Sequence, residues 1–311
     1  MYIADPEQNT IQMFPAGSNG AMKPAPKFNG DTGIIAPTGV ALDAKGQIYV
    51  ANDGVATGHP ELDDVTVFPA ESNANVPPIR GISNFSSPQA IAVGLDGTTY
   101  VLNGTGDHGD SGGISIVGPD GTPWLRTIVS GIDDPSGLAL DHDGNLYVVN
   151  SGGQSITVYG PHTDGADPPI RTISGEKSKL NSPVEIAVDA AGKIYVTNDG
   201  SIGPGADSIT VYAPGSSGNV APIAVIAGPS TQLKLPQGIA IGSDGKIYVA
   251  NDGNLEDLAP DASRYDDRPR ADPADSITVY APGSNGNVAP IARINGPLTG
   301  LGHPRGIAVG P

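Results

Sequence analysis

Short apolar runs rich in β-branched and aromatic residues recur along the chain, separated by polar stretches dense in glycine and proline. No segment keeps a helical period for three turns between those breakers, so the runs predict strands. One run opens each time on proline: Pro37-Thr-Gly-Val-Ala-Leu-Asp43, Pro88-Gln-Ala-Ile-Ala-Val-Gly94, Pro135-Ser-Gly-Leu-Ala-Leu-Asp141, Pro183-Val-Glu-Ile-Ala-Val-Asp189 and Pro236-Gln-Gly-Ile-Ala-Ile-Gly242. A sixth, Pro304-Arg-Gly-Ile-Ala-Val-Gly310, lies at the C-terminus. The prolines are 51, 47, 48, 53 and 68 residues apart. The 36 residues before Pro37 and the last 8 of the chain together supply one more repeat of 44.

Three further runs follow inside each repeat. Turns such as Asp143-Gly144 and Asp244-Gly245 lead to a second run ending in Tyr-Val, as in Ile48-Tyr-Val50 and Ile247-Tyr-Val249. Asp-Gly between apolar runs is a hairpin signal, because glycine adopts positive φ without steric cost. The third run is Thr10-Ile-Gln-Met-Phe14, Val65-Thr-Val-Phe68, Ile156-Thr-Val-Tyr159 and their equivalents; the fourth is weaker, as in Ile170-Arg-Thr-Ile173 and Ile291-Ala-Arg-Ile294. Four antiparallel strands in each repeat of this length are a propeller blade. The prediction is an all-β fold, a single six-bladed β-propeller over residues 1–311. Its blades are approximately 37–87, 88–134, 135–182, 183–235, 236–303, and 304–311 joined to 1–36. The C-terminal strand thus closes the ring by pairing with three N-terminal strands and removes the exposed edges. The long fifth spacing comes from an insertion, Asn254 to Ala274, read as a surface loop.

Composition narrows the function classes. With 44 Gly and 30 Pro in 311 residues the chain approaches a disordered composition, but their periodic placement assigns them to turns. The formal charge of −17 argues against nucleic acid, whose phosphates need clustered Lys and Arg. Cysteine is absent, which excludes disulfides, thiol catalysis, cysteine zinc sites and iron–sulfur clusters. No apolar stretch reaches about 18 residues, so no membrane insertion is expected. Met1-Tyr-Ile-Ala-Asp5 lacks the basic and apolar regions of a signal peptide. Low lysine content and loops of Asn, Gly, Ser and Thr suit an exported protein, so an extracellular, periplasmic or envelope location is expected.

The frame Pro-x-Gly-Ile-Ala-x-Asp-x-x-Gly-x-Ile-Tyr-Val-Ala-Asn/Asp, followed by x-Ile-x-Val-Tyr/Phe, resembles NHL-repeat β-propellers over the whole chain. The stretch Tyr2-Ile-Ala-Asp5-Pro-Glu-Gln-Asn9-Thr-Ile-Gln-Met-Phe14 is similar to that family's second and third strands. The resemblance implies the propeller fold. It implies little about activity, since the family includes enzymes, protein-binding modules and scaffolds.

Strand polarity sorts the loops onto two faces. First-to-second and third-to-fourth connections share a bottom face, whose near-identical turns read as structural. Second-to-third loops and blade crossovers share the top, where the repeats vary. Every second strand ends there in an amide or carboxylate: Asp5, Asn52, Asn103, Asn150, Asn198 and Asn251. Such a ring offers oxygens to a cation; the competing reading is that each side chain satisfies the backbone at its own strand end. Glu185 replaces a residue that is Gly or Ala in the other copies, and Arg305 replaces Thr38, Gln89, Ser136, Val184 or Gln237. Both belong at the top mouth of the central channel, as a salt bridge or as ligand-binding groups with Asn103 and Asn150. His59, His108 and His303 lie on top loops and would suit a zinc site, but read as solvated loop histidines; His142 and His162 fall on bottom turns.

Acidic pairs recur on the top loops. Asn52-Asp53-Gly54 is followed by Asp63-Asp64, Asn198-Asp199-Gly200 by Asp207, and Asn251-Asp252-Gly253 by Asp275. Each loop returns a second carboxylate to where the first left, a donor set suited to calcium; no organic cofactor is expected. The second-to-third loop is short in blades three and six and long elsewhere, which predicts a groove across the top. The leading expectation is a non-catalytic propeller, monomeric or part of a larger surface protein, that binds a protein, peptide or glycan on its acidic top face. The alternative is a metal-dependent lyase or hydrolase at the channel mouth, to which some NHL-like propellers are similar.

Overall fold

The computed structural model describes residues 1–28, 32–72, 76–104, 112–119, 121, 126–161, 163, 165–200, 207–253 and 275–310. These residues form six four-stranded antiparallel sheets. In blade one the strands run from inner to outer as Pro37–Leu42, Ile48–Asn52, Asp64–Phe68 and Arg80–Ser83. The inner strands of blades two to five begin at Pro88, Pro135, Pro183 and Pro236. Each inner strand touches the next around the ring, and the last touches the first.

Blade six is split between the chain ends as predicted. Its inner strand, Ile307–Ala308, pairs with Tyr2–Asp5 through Tyr2 opposite Ala308 and Ile3 opposite Ile307. Above that pair, toward the top face, the Ala4 N–H donates to the Gly306 carbonyl (2.8 Å) and the Arg305 N–H to the Ala4 carbonyl (3.0 Å). Two boundaries differ from the sequence reading. The closing strand is shorter than the predicted 304–310, and the outer strands begin one residue late, as Arg171–Ser174 and Ala292–Asn295. The preceding Pro169 and Pro290 cannot donate to a ladder, so the regular pairing starts beyond them. Ile170 and Ile291 still donate their N–H groups to Val158 and Val279 (2.8 Å each), yet stay 58% and 53% exposed.

The inner hairpins of blades one, three and four follow from one turn chemistry. Asp43 Oδ1 accepts the N–H groups of Lys45 (2.9 Å) and Gln47 (2.8 Å), while Gly46 takes a φ of +76°. Asp141 with Gly144 and Asp189 with Gly192 repeat the device. The core lies between the blades. Tyr147, Val149, Ile156 and Val158 of blade three pack on Ile186, Ile194, Val196 and Tyr212 of blade four, which is why the strands are apolar on both faces. Tyr159, Tyr212 and Tyr280 are fully buried, and their hydroxyls donate to Ser130, Ser178 and Thr231 carbonyls at 2.5 to 2.6 Å, so none of these three hydroxyls is stranded.

The bottom third-to-fourth loops clasp one blade to the previous one. Gly218 of blade four forms a parallel bridge to Ile173 of blade three, Gly286 of blade five to Ile226, and Gly20 of blade six to Ile294. Asn219 and Asn287 accept the N–H groups of Lys177 (2.9 Å) and Ser230 (2.7 Å) on the blade before. Glycine is needed where they land: a Cβ on Gly228, at φ +114°, would sit 2.7 Å from the Asn287 amide. Asn287→Ala is expected to cost about 1 kcal/mol, one backbone acceptor at a solvated site, and to lower the melting temperature by roughly 2 °C. An unchanged thermal melt would show that the loop merely rests on its neighbour.

Candidate functional site

The top ends of the second strands are locally self-satisfied. Asn52, Asn103, Asn150, Asn198 and Asn251 each accept, through Oδ1, a crossover N–H 17 residues earlier, at 3.0 to 3.2 Å. Each donates Nδ2 to a third-strand hydroxyl: Thr66, Ser115, Thr157, Thr210 and Thr278. In blade six Asp5 accepts instead, from Gln12 Nε2 (2.7 Å) and the Gly302 N–H (2.8 Å). Asn103 lines the central cavity; Asn150 is fully buried outside its lining. Both spend their amides holding their own blades.

Crossovers supply the next layer. The residue before each inner-strand proline has a left-handed backbone: Ala36, Ser87, Asp134, Ser182, Leu235 and His303 lie at φ between +39° and +58°. Proline disfavours the right-handed helical region for the residue before it, and positive φ is costly without glycine. An acceptor at the start of the preceding blade's third strand offsets that cost. Asn9, Asp63, Gln154, Asp207 and Asp275 accept the N–H groups of Ala36 (2.6 Å), Ser87 (2.7 Å), Ser182 (2.9 Å), Leu235 (3.1 Å) and His303 (3.2 Å).

The predicted acidic pairs therefore meet at blade junctions. Asp53 and Asp63 converge on Ser87, one taking its hydroxyl (3.0 Å) and the other its N–H (2.7 Å). Burial, then the charge of Asp63, pushes the Asp53 carboxyl up. Asp64 is not the partner, because consecutive strand residues face opposite sides. It accepts from Asn52 Nδ2 (2.7 Å), and burial pushes it up to about 6. Asp207 is raised by burial and then by the charge of Asp199. Asp252 and Asp275 meet around His303, with one ligand atom from each of the three within 4.8 Å of the others. Asp252 Oδ1 contacts His303 Nδ1, and Glu7 Oε2 lies 3.5 Å from Nε2.

These groups surround a cavity of about 510 Å³ at the top of the channel. The residues after the inner-strand prolines line it: Thr38, Gln89, Ser136, Val184, Gln237 and Arg305. Glu7, Glu185, Asp199, Asp252 and His303 also face it. Glu185 folds back so that its Oε1 accepts the Ile186 N–H (3.0 Å), in space that Gly137 leaves open for lack of a Cβ. Burial pushes the Glu185 carboxyl up to about 8 despite hydrogen bonds from the backbone of Ile186 and Leu138. It therefore keeps its proton to higher pH than a solvated carboxylate does. No ion pair joins Arg305 to Glu185 among the described residues.

Sequence reasoning set His303 aside, and the structure brings it to the mouth between two carboxylates. The available signal was its departure from the small or aliphatic residues before the other prolines, Asp134 excepted. His59 is exposed and pairs with Glu61 at 3.1 Å; His108, His162 and the insertion 254–274 lie outside the described residues. So do 105–111 and 201–206, parts of the predicted groove walls.

No protein-family model matches the chain. No curated protein matches it either. Solved structures do. A protein of unknown function from Bacteroides caccae has a TM-score of 0.64 at 11% identity, covering 98% of this chain and 96% of that one. A functionally unknown protein from Desulfotomaculum acetoxidans gives 0.58 at 12% identity, over 90% of this chain and 74% of its own. Hydrazine synthase of Kuenenia stuttgartiensis gives 0.54 at 17% identity, over 86% of this chain and 66% of its own. At these identities the likeness is one of fold: the chain is a six-bladed β-propeller.

Proposed function

We propose that the protein is a non-catalytic binding propeller that takes a peptide, a glycan or a protein segment into the top mouth of its channel. What carries this reading is where the repeats differ. Strand-end asparagines recur in five blades and clasps at three junctions, whereas the mouth position reads Thr38, Gln89, Ser136, Val184, Gln237 and Arg305. A rigid ring that varies its side chains around a polar cavity suits recognition. About 510 Å³ accommodates a few residues or sugar units, not a folded domain. Low lysine content and Asn-, Gly- and Ser-rich loops support a place outside the cell or in its envelope. The test is an array of immobilised peptides and glycans probed with labelled protein. Val184→Trp, which fills the mouth, should abolish the signal while circular dichroism stays unchanged; equal binding by that variant would move the site elsewhere.

A second reading rests on the acidic pairs. Asp53 with Asp63 and Asp199 with Asp207 offer oxygen donors, which favour calcium, while Asp252 with Asp275 and His303 adds an imidazole, which favours a transition metal. The latter supports a metal-dependent lyase or hydrolase at the mouth. Calcium is expected to raise the melting temperature and chelator to lower it, with the response reduced in Asp199→Asn and Asp252→Asn. Superimposable melts of the parent with calcium and with chelator would end the calcium reading. A response to zinc alone, lost only in Asp252→Asn, would favour the enzyme.

A further inference from the structure

Around the mouth, most polar side chains at the ring position are already engaged. Thr38 Oγ1 donates to the Pro88 carbonyl (2.6 Å) and Ser136 Oγ to the Pro183 carbonyl (3.0 Å). Gln89 Nε2 donates to Asp53 Oδ2 (3.2 Å) and Ser87 Oγ (2.9 Å). Arg305 differs. No carboxylate pairs with its guanidinium among the described residues, and its buried Nε has no acceptor. Asp53 lies near enough to feel its charge, yet accepts from the Ala56 N–H, Ser87 Oγ and Gln89. Gln237, at the same level on the neighbouring inner strand, also has no side-chain partner among the described residues. The two backbones come close there: a Cβ on Gly238 would collide with the Arg305 carbonyl.

A buried guanidinium donor without an acceptor costs free energy, and a planar fork beside an amide N–H₂ matches the two oxygens of a carboxylate. We propose that Arg305 and Gln237 form a clamp for a carboxylate on the ligand, an inference that rests on the channel mouth being the binding site. Glu7 on the blade of Arg305, Asp252 on the blade of Gln237 and Asp199 on blade four face the same cavity, and the chain carries a net charge of −17. A polyanion is repelled by that field. The ligand therefore bears one carboxylate on a body otherwise neutral or cationic. Two sources present that chemistry: the C-terminus of a peptide and the acid group of a uronate.

Calorimetry with four probes separates them: trialanine, trialanine amide, galacturonate and its methyl ester. The acid form of one pair should bind about tenfold or more tightly than its neutral form, the usual worth of a charge-assisted hydrogen bond. That preference should vanish in Arg305→Gln and weaken in Arg305→Lys, which keeps the charge but loses the fork. Gln237→Leu, away from the closing strand, should reduce it if Arg305→Gln does not fold. Equal affinity for acid and neutral forms, a preference that survives Arg305→Gln, or no binding by either acid overturns the clamp. Equal affinities that Val184→Trp abolishes would refute the clamp yet leave the mouth as the site.

Discussion

A chain ending at His303 will not hold its ring closed. It lacks the strand Ile307–Ala308 and with it the pairing of Tyr2 and Ile3. The bonds between Ala4 and the Arg305–Gly306 backbone disappear as well. Ile307 is 8% exposed in the intact ring and packs with Ile3, Phe14 and Ile277. Burying one such side chain is worth about 1.5–3 kcal/mol, and each lost backbone bond roughly 1 kcal/mol. The total, about 5–7 kcal/mol, is comparable with the whole stability of a typical domain. The truncated protein should unfold at least about 10 °C earlier or elute as an expanded or associated species. A melt and elution identical to those of the full chain would mean that the seam contributes nothing.

Glu185→Gln should stabilise the protein, and only above acid pH. Burial raises the folded carboxyl from 4.5 to about 8, so the folded state keeps a proton that the unfolded state releases over that range. Stability then falls as pH rises between those values, and the loss is complete above the folded pKa. Glutamine has nothing to titrate. Parent and variant should differ least at pH 4, diverge from about pH 5, and separate by about 2 kcal/mol at pH 9, a value reduced from the full shift because the cavity admits water. Urea titrations at four pH values would measure it. Curves that stay parallel would identify Glu185 as an ordinary solvated carboxylate.

The parts of this molecule that repeat were legible in the sequence, because a repeated constraint leaves a repeated residue. The inner-strand proline recurs six times, the strand-end asparagine five and the Asp-x-x-Gly turn three; each marks one local geometry, and together they fix the ring. Glu185 and Arg305 were found as exceptions to the pattern, and both line the mouth. His303 was harder. Its setting depends on Glu7, almost a full chain length away, and no local window contains both. The same holds for Asp63 against Asp64: both fit the sequence spacing, and only strand alternation selects the one that meets Asp53. That Arg305 lacks an ion pair with Glu185 depends on where both side chains turn, which spacing does not specify.

The clasp loops all point the same way. Gly218, Gly286 and Gly20 each reach back to the blade before, never forward. Every such junction joins two unlike surfaces, a head on one blade and a tail on the next. Contacts of that kind have no two-fold symmetry: they end only when rotation brings the last head to the first tail, and otherwise continue without limit. The closed propeller is in this sense a polymer of blades that stops at six. An opened ring would expose one unused head and one unused tail on the same molecule, so its route to association is end-to-end growth rather than a symmetric dimer.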